Sequence, residues 1–318
     1  MKGGGIFMPE RIATAKNHFY AWRKKIFIGF FIGPALLLVL AFAYWPIMST
    51  INYSLNSWNG ISKEMTWVGW NNYLRLFKDP YFYSSLKNNM LVIAVSLFIQ
   101  LPLSFFTAYI VFKVKNKWAE MAKVIFYIPG ILSMVMIGLL WRFIYDYQYG
   151  TLNSFLRAIQ LPKLAHVWLT DPNTAVPAIL VVVIWVYFGY HCVIHSAGIN
   201  SLPVEILEAA KIDGAKSWKL IGRVIIPMLS EVIRVTLIIS LVGSFQLFDL
   251  IWIITGGGPF HQTDVLATYM YNRAFQAREF GYAGAIAVVI LMCALCATLI
   301  QNLWQRDNAK GGRGNEIN

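Results

Sequence analysis

His191 and His195 stand four residues apart in an otherwise apolar run, a spacing that puts two imidazoles on one helical face and can ligate a metal ion. No third ligand lies within reach by sequence, so the pair reads as packing residues and no metal is expected. Gly256-Gly257-Gly258-Pro259 could suggest a phosphate cradle, but it lacks the helix start that such loops use, and a sharp turn is the better reading. Arg142 and Asp249, each near the end of an apolar run, could form an ion pair. A G-x4-G-K-[ST] phosphate loop is missing, as is any cluster of nucleophile, acid and base, so no catalytic residue is assigned. What remains are polar and aromatic side chains inside apolar runs, which are costly in lipid unless they face protein or water. Tyr187 and Tyr190, three apart, share one helical face, and Ser240, Gly243, Ser244 and Leu247 share another. Ordinary packing accounts for Gly and Ser at helix contacts; the sharper reading is the wall of a path for a polar solute.

The elements that must position these residues follow from composition. The chain of 318 residues is 58% hydrophobic and 13% charged, against roughly a quarter charged in a soluble domain. Six stretches are long enough to cross a hydrocarbon core, which takes about 20 helical residues: 26–48, 90–112, 122–144, 175–197, 232–254 and 281–304. Their Leu/Ile/Val/Phe runs do not alternate as barrel strands would. Each backbone group must then be satisfied within its own segment. The reading is an all-α polytopic membrane protein with six transmembrane helices. Arg23, Lys24 and Lys25 precede the first stretch as they would a secretory signal, but the stretch is too long and no small-residue cleavage site follows Trp45-Pro46. Cys192, Cys293 and Cys296 all fall in apolar runs and read as small packing residues.

Sixteen Lys and Arg fall on the side that holds both termini and the loops 113–121 and 198–231, and eight on the side of 49–89, 145–174 and 255–280. The richer side is expected to be cytoplasmic, so both termini are cytoplasmic. The net charge of +12 then reflects topology and contact with anionic membrane lipid. Basic residues dispersed over loops, without an aromatic-flanked patch, exclude nucleic acid as a partner. The expected organisation is a tail over 1–25, a first helix over 26–48, an extracytoplasmic loop over 49–85, a helical core over 86–301 and a tail over 302–318 that lacks order.

The largest cytoplasmic loop, 205–227, is charged and helical in pattern. Pro203 and Glu205 suit a first helical turn, Asp213-Gly214 supplies a turn, and a second amphipathic stretch runs from Trp218 until Pro227 interrupts it. Two short helices meeting at Gly214 are predicted, an element that can dock in a cleft of a cytoplasmic partner.

Glu208-Ala209-Ala210, three residues, Gly214, nine residues, then Val224, Ile226 and Pro227 resembles the EAA loop of binding-protein-dependent ABC importer permeases, EAA-x3-G-x9-I-x-L-P, with Val and Ile in place of the usual Ile and Leu. "EAAKIDGA", "WVGWNNYLRLFKDPYF" and "LFDLIWIITGGGP" are similar to the carbohydrate-uptake branch, of CUT1 type, and the likeness covers residues 67 to 301. The resemblance implies a type I importer, MetI-like permease fold with its core at 86–301, in a bacterial or archaeal cytoplasmic membrane. It implies a second homologous permease subunit, two ATP-binding subunits and an extracytoplasmic solute-binding protein as partners, and a sugar or oligosaccharide as substrate. No cofactor is implied on this chain; ATP and Mg belong to the partner ATPase subunits. Glu208 would be the acid facing the ATPase, Ala209 and Ala210 the small residues that allow close approach, Gly214 the turn and Pro227 the end of the motif. Tyr187, Tyr190, Ser240, Gly243, Ser244 and Leu247 resemble positions that line the sugar site in maltose-type permeases. A secondary transporter, the alternative from another class, would carry intramembrane carboxylates, for which Asp249 alone is thin support.

Overall fold

The computed structural model describes residues 27–114, 116–215 and 218–314, with side chains as far as Gln301. The expected tail over 1–25 lies outside the described residues. Helix α1, Phe27–Ser54, belongs as far as Tyr53 to a first compact unit, and the chain from Ser54 onward forms a second. The second unit opens with a two-stranded ribbon, β1 Asn56–Ser57 and β2 Thr66–Trp67, and a short helix α2, Asn71–Leu76. Long helices follow: α3 Pro80–Val114, α4 Lys117–Ile131 and α5 Met134–Ile144, then the short α6 Thr151–Ala158 and the long α7 Ala175–Asn200. The remainder is α8 Val204–Ile212, α9 Trp218–Met228, α10 Ser230–Phe245, α11 Asp249–Ile254, α12 Leu266–Tyr271 and α13 Phe280–Gly314. The last helix thus runs past 301, where the sequence suggested a tail without order.

Among the described residues, α1, α3, α7 and α13 are single helices long and apolar enough to span a membrane, and two bent pairs bring the number of candidate spans to six. The stretch 122–144 is one of those pairs: α4 and α5 meet at 101°. Leu132 and Ser133 adopt extended backbone just after Pro129-Gly130, so the helical ladder stops and restarts. The other pair, α9 and α10, meets at 74°. The stretch 232–254 is likewise interrupted, because α10 stops at Phe245 and α11 begins at Asp249, whose carboxylate suits a helix start.

Three helices contain a π-helical turn with a proline two residues beyond it: Leu40–Tyr44 before Pro46, Ser96–Gln100 before Pro102, and Ile221–Ile225 before Pro227. Proline offers no N–H, and the wide turn lets the carbonyl it would orphan be served one residue further on. The helix therefore continues through Pro46 and Pro102, whereas α9 ends at Met228, one residue past Pro227.

Helix α7 is the central element of the second unit, packed along the later half of α3 and along α4. A Cβ on Gly189 would strike the Phe126 carbonyl, and one on Gly130 would lie 3.3 Å from the Val186 carbonyl. Glycine at both places is what lets α4 and α7 touch backbone to backbone. Around α7 lie an apolar cluster that includes Val182, Val186, Leu250 and Ile251, and a second, at its C-terminal end, that includes Phe105, Cys192, Ile199, Leu207 and Ile225.

Candidate functional site

All six residues singled out as a solute path converge on one cavity of about 310 Å³. Tyr187 and Tyr190 enter it from α7, Ser240, Gly243 and Ser244 from α10, and Leu247 from the break between α10 and α11. That break, which no hydropathy window marks, brings Leu247 into the wall. Helix α3 supplies the opposite side through Val92, Ser96 and Gln100, the last two within its π turn. Asn89 fixes the C-terminal end of α10. Its Nδ2 donates to the Ser244 carbonyl at 2.8 Å, a group left over at the helix end, and its Oδ1 accepts from Leu266 N–H at 2.8 Å. The Ser244 hydroxyl donates to the Ser240 carbonyl at 2.7 Å, which leaves its lone pairs as acceptors. Among the described residues, no Lys, Arg, Asp or Glu lines this cavity. It can offer aromatic faces and uncharged hydrogen-bonding groups to an occupant.

His191 also lines the cavity, while His195 is turned into packing, with Nδ1 3.1 Å from Ser104 Oγ and Nε2 3.3 Å from Thr236 Oγ1. Among the described residues, no group of three His, Cys, Asp or Glu side chains could hold a metal. Arg142 and Asp249 do not pair; both are exposed, and Asp249 begins α11.

At the far end of α7, helix α8 follows Pro203, its N-cap, and ends in a Schellman motif. Gly214 N–H donates to the Lys211 carbonyl at 3.1 Å and Ala215 N–H to the Ala210 carbonyl at 2.9 Å. Gly214 has φ +81°, and nothing lies within 4 Å of where a Cβ would be. The sequence therefore needs glycine here for its backbone, and the space beside it is open. Leu207, Leu220, Ile221 and Ile225 bury the inner face of α8 and α9 against α3 and α7. Glu208, Ala209 and Pro227 are exposed and Ala210 is half-buried. Apolar side chains are exposed beside them, with Ile212 at 86% and Trp218 at 72%.

A polar assembly that the sequence reading missed gathers at the N-terminal end of α3. Asp79 caps α3 by accepting from Tyr81 N–H at 2.9 Å, and it also accepts from the hydroxyls of Tyr282, at 2.6 Å, and Tyr269. Arg273 donates to Tyr269 Oη at 2.7 Å, and Glu279 accepts from Arg75 at 2.9 Å. Burial alone would push the Asp79 carboxyl up, but the hydrogen bonds from Tyr269, Tyr282 and the Tyr81 N–H, with the Arg273 charge, hold it below its ordinary value. Burial, with Asp79 beside it, pushes the Tyr269 phenol up to about 12. Nearby, buried Asp264 accepts from Thr268 Oγ1 at 2.7 Å and pairs with His261 at 2.6 Å, and a Cβ on Gly257 would strike its carboxylate. The glycine run is indeed a turn, closed on that side chain.

Residues 100–308 match the family described as binding-protein-dependent transport system inner membrane component. The chain belongs to this family of permeases. Relatives agree along almost the whole length. The probable ABC transporter permease protein YurN of Bacillus subtilis (strain 168) is 36% identical over 280 residues, 88% of this chain and 96% of that protein. The lactose transport system permease protein LacF of Rhizobium radiobacter is 30% identical over 274 residues, 85% and 91% of the two chains. A chain of the bacterial alginate ABC transporter, solved in complex with an alginate pentasaccharide-bound periplasmic protein, superposes with a TM-score of 0.80. It covers 92% of this permease and 98% of that chain at 23% identity, a likeness of fold. The MetI-like architecture expected from the sequence is therefore present in this permease.

Of the cavity wall, Ser96, Gln100 and His191 escaped the sequence reading as lining residues. A signal existed: Ser96 and Gln100 are polar, four apart and inside an apolar run, the same ground on which Ser240 and Ser244 were chosen. The acidic and aromatic residues around Asp79 gave a weaker one, since aromatic rings near a membrane surface are expected in any case.

Proposed function

We propose that this permease is the membrane subunit of an ATP-driven importer that moves a sugar or oligosaccharide across the cytoplasmic membrane. It works beside a second homologous permease, receives substrate from an extracytoplasmic solute-binding protein, and docks two cytoplasmic ATP-binding subunits that carry the ATP and Mg. ATP hydrolysis resides on those subunits. Both termini and the α8–α9 loop face the cytoplasm, in keeping with the basic residues gathered on that side. The sugar assignment draws on relatives such as the lactose permease and on a cavity of uncharged hydrogen-bonding groups and tyrosine rings, a mixture suited to stacking on sugar C–H faces and exchanging hydrogen bonds with hydroxyls.

The observation that carries the coupling role is the open space at Gly214. Helix α8 turns there in a left-handed conformation, its inner face held by apolar packing and Glu208 and Ala209 directed outward. Movement of docked ATPases would displace this turn, and α9, through its 74° junction with α10, would carry the displacement to the helix that presents Ser240 and Ser244 to the cavity. Gly214→Asp should abolish binding-protein-stimulated ATP hydrolysis and uptake in the reconstituted transporter while the permease stays in the membrane. Wild-type values for both would remove the coupling role.

A further inference from the structure

Two polar side chains in the cavity wall have atoms with no partner. Gln100 is 1% exposed and its Oε1 is buried without a hydrogen bond; His191 is 2% exposed and its Nδ1 is buried without one. Both line the same 310 Å³ space. An unsatisfied buried polar group is costly, and natural proteins keep such groups where a water or an occupant completes them. Their neighbours do not help. Ser244 has committed its proton to the Ser240 carbonyl, and the π turn that ends at Gln100 places that side chain and Ser96 on the wall. The wall offers acceptors, the Gln100 carboxamide oxygen, the Ser244 lone pairs and one imidazole nitrogen of His191 in either neutral tautomer, beside the hydroxyls of Tyr187, Tyr190 and Ser240, which donate or accept. Groups that donate and accept at once, as sugar hydroxyls do, match such a wall. A carboxylate or sulfonate would find hydrogen bonds here but no countercharge, because among the described residues no Lys or Arg lines the wall.

We propose that Gln100 and His191 are contacts for the hydroxyls of an uncharged sugar in transit, and that this permease is built against acidic ones. The proposal rests on the reading of the cavity as the substrate path. A turn of either side chain would bring its unpartnered atom to the occupant.

The test is uptake into proteoliposomes that hold the whole transporter with its solute-binding protein, normalised to the amount of assembled complex. The probes are labelled lactose, maltotriose and diacetylchitobiose, with trimannuronate as the acidic member. Uptake of at least one uncharged probe in preference to trimannuronate is expected, and Gln100→Met and His191→Leu should each lower it about fivefold, the loss of one hydrogen bond. Preference for trimannuronate, or entry of none of the uncharged probes, overturns the proposal. Wild-type uptake by both variants while Tyr190→Ala fails overturns it and leaves the cavity reading standing. Wild-type uptake by all three removes the cavity reading as well. Should the apolar variants not assemble, Gln100→Glu and His191→Gln keep size and polarity and alter the donor pattern. A changed KM is then expected, and an unchanged KM overturns the proposal.

Discussion

The two ends of α3 and α7 are finished in opposite ways. At the Asp79 end, loops far apart in sequence are tied by side-chain hydrogen bonds and ion pairs: Asp79 to Tyr282, Glu279 to Arg75, Asn88 to the Asp264 carbonyl. At the Gly214 end, apolar packing holds only the inner face of α8 and α9, and Ile212, Trp218, Glu208 and Ala209 are left to the outside. A surface that completes its own polar contacts holds its shape alone. Large apolar groups are exposed at both ends, Trp70 and Phe260 at the first and Ile212 and Trp218 at the second, but only the second sets them beside an open left-handed turn with Glu208 and Ala209 facing out. On this contrast we propose that the first end serves stability and the second coupling.

The largest effect that could break this contrast is at Gly214. Gly214→Asp should cost more than tenfold in uptake, whereas Gly214→Asn, uncharged and tolerant of the left-handed region, should retain part of it. Equal and complete retention by both variants would mean that nothing docks at the turn. Next comes the cavity. At matched assembly, Tyr190→Ala should lower uptake about fivefold, the scale of a lost stacking contact, while Phe188→Ala should change yield more than transport. Phe188 packs on Phe126, with ring centroids 5.2 Å apart, on the α4 side of α7.

A smaller effect, on stability, belongs to the polar end. Removing the charge in Asp79→Asn weakens hydrogen bonds to a carboxylate, worth about 2 kcal/mol in sum. Because the Asp79 carboxyl is held below its ordinary 3.8, its contribution is complete above about pH 4 and is lost as pH falls through the lowered folded value. Acid titration of protease resistance in the loops at the Asp79 end should therefore show a transition below pH 4 in the wild type that Asp79→Asn lacks. The smallest effect sharpens the contrast. Glu208→Gln should leave the thermal stability of the isolated permease within about 0.5 kcal/mol, as exposed positions do, yet reduce uptake in the complete transporter.

Much of this was legible in sequence, and for identifiable reasons. Apolar length marks spans because lipid leaves the backbone no alternative, and the i, i+3 and i, i+4 offsets of Tyr187, Tyr190, Ser240 and Ser244 fix their faces whatever the helices do. The turn at Gly214 was readable because a glycine after Asp213 ends an amphipathic run. The breaks were not. Hydropathy averaged over 122–144 or 232–254 has no term for extended backbone at Leu132–Ser133 or for a helix that restarts at Asp249. Gln100 carried the same polar i, i+4 signal as Ser240 and Ser244, but the π turn that sets its place in the wall has no mark in the sequence, and Asp79 stayed hidden because its partners come from residues about 200 positions away.

The central claim is that the turn between α8 and α9 is where the ATP-binding subunits dock. A photoreactive amino acid at position 209, in the complete transporter in native membranes, tests it most directly. The account predicts an adduct with the ATP-binding subunit, in a yield that changes when a non-hydrolysable ATP analogue closes those subunits. Adducts with lipid alone, or the same yield from a control position at Tyr83 near the Asp79 end, would contradict it.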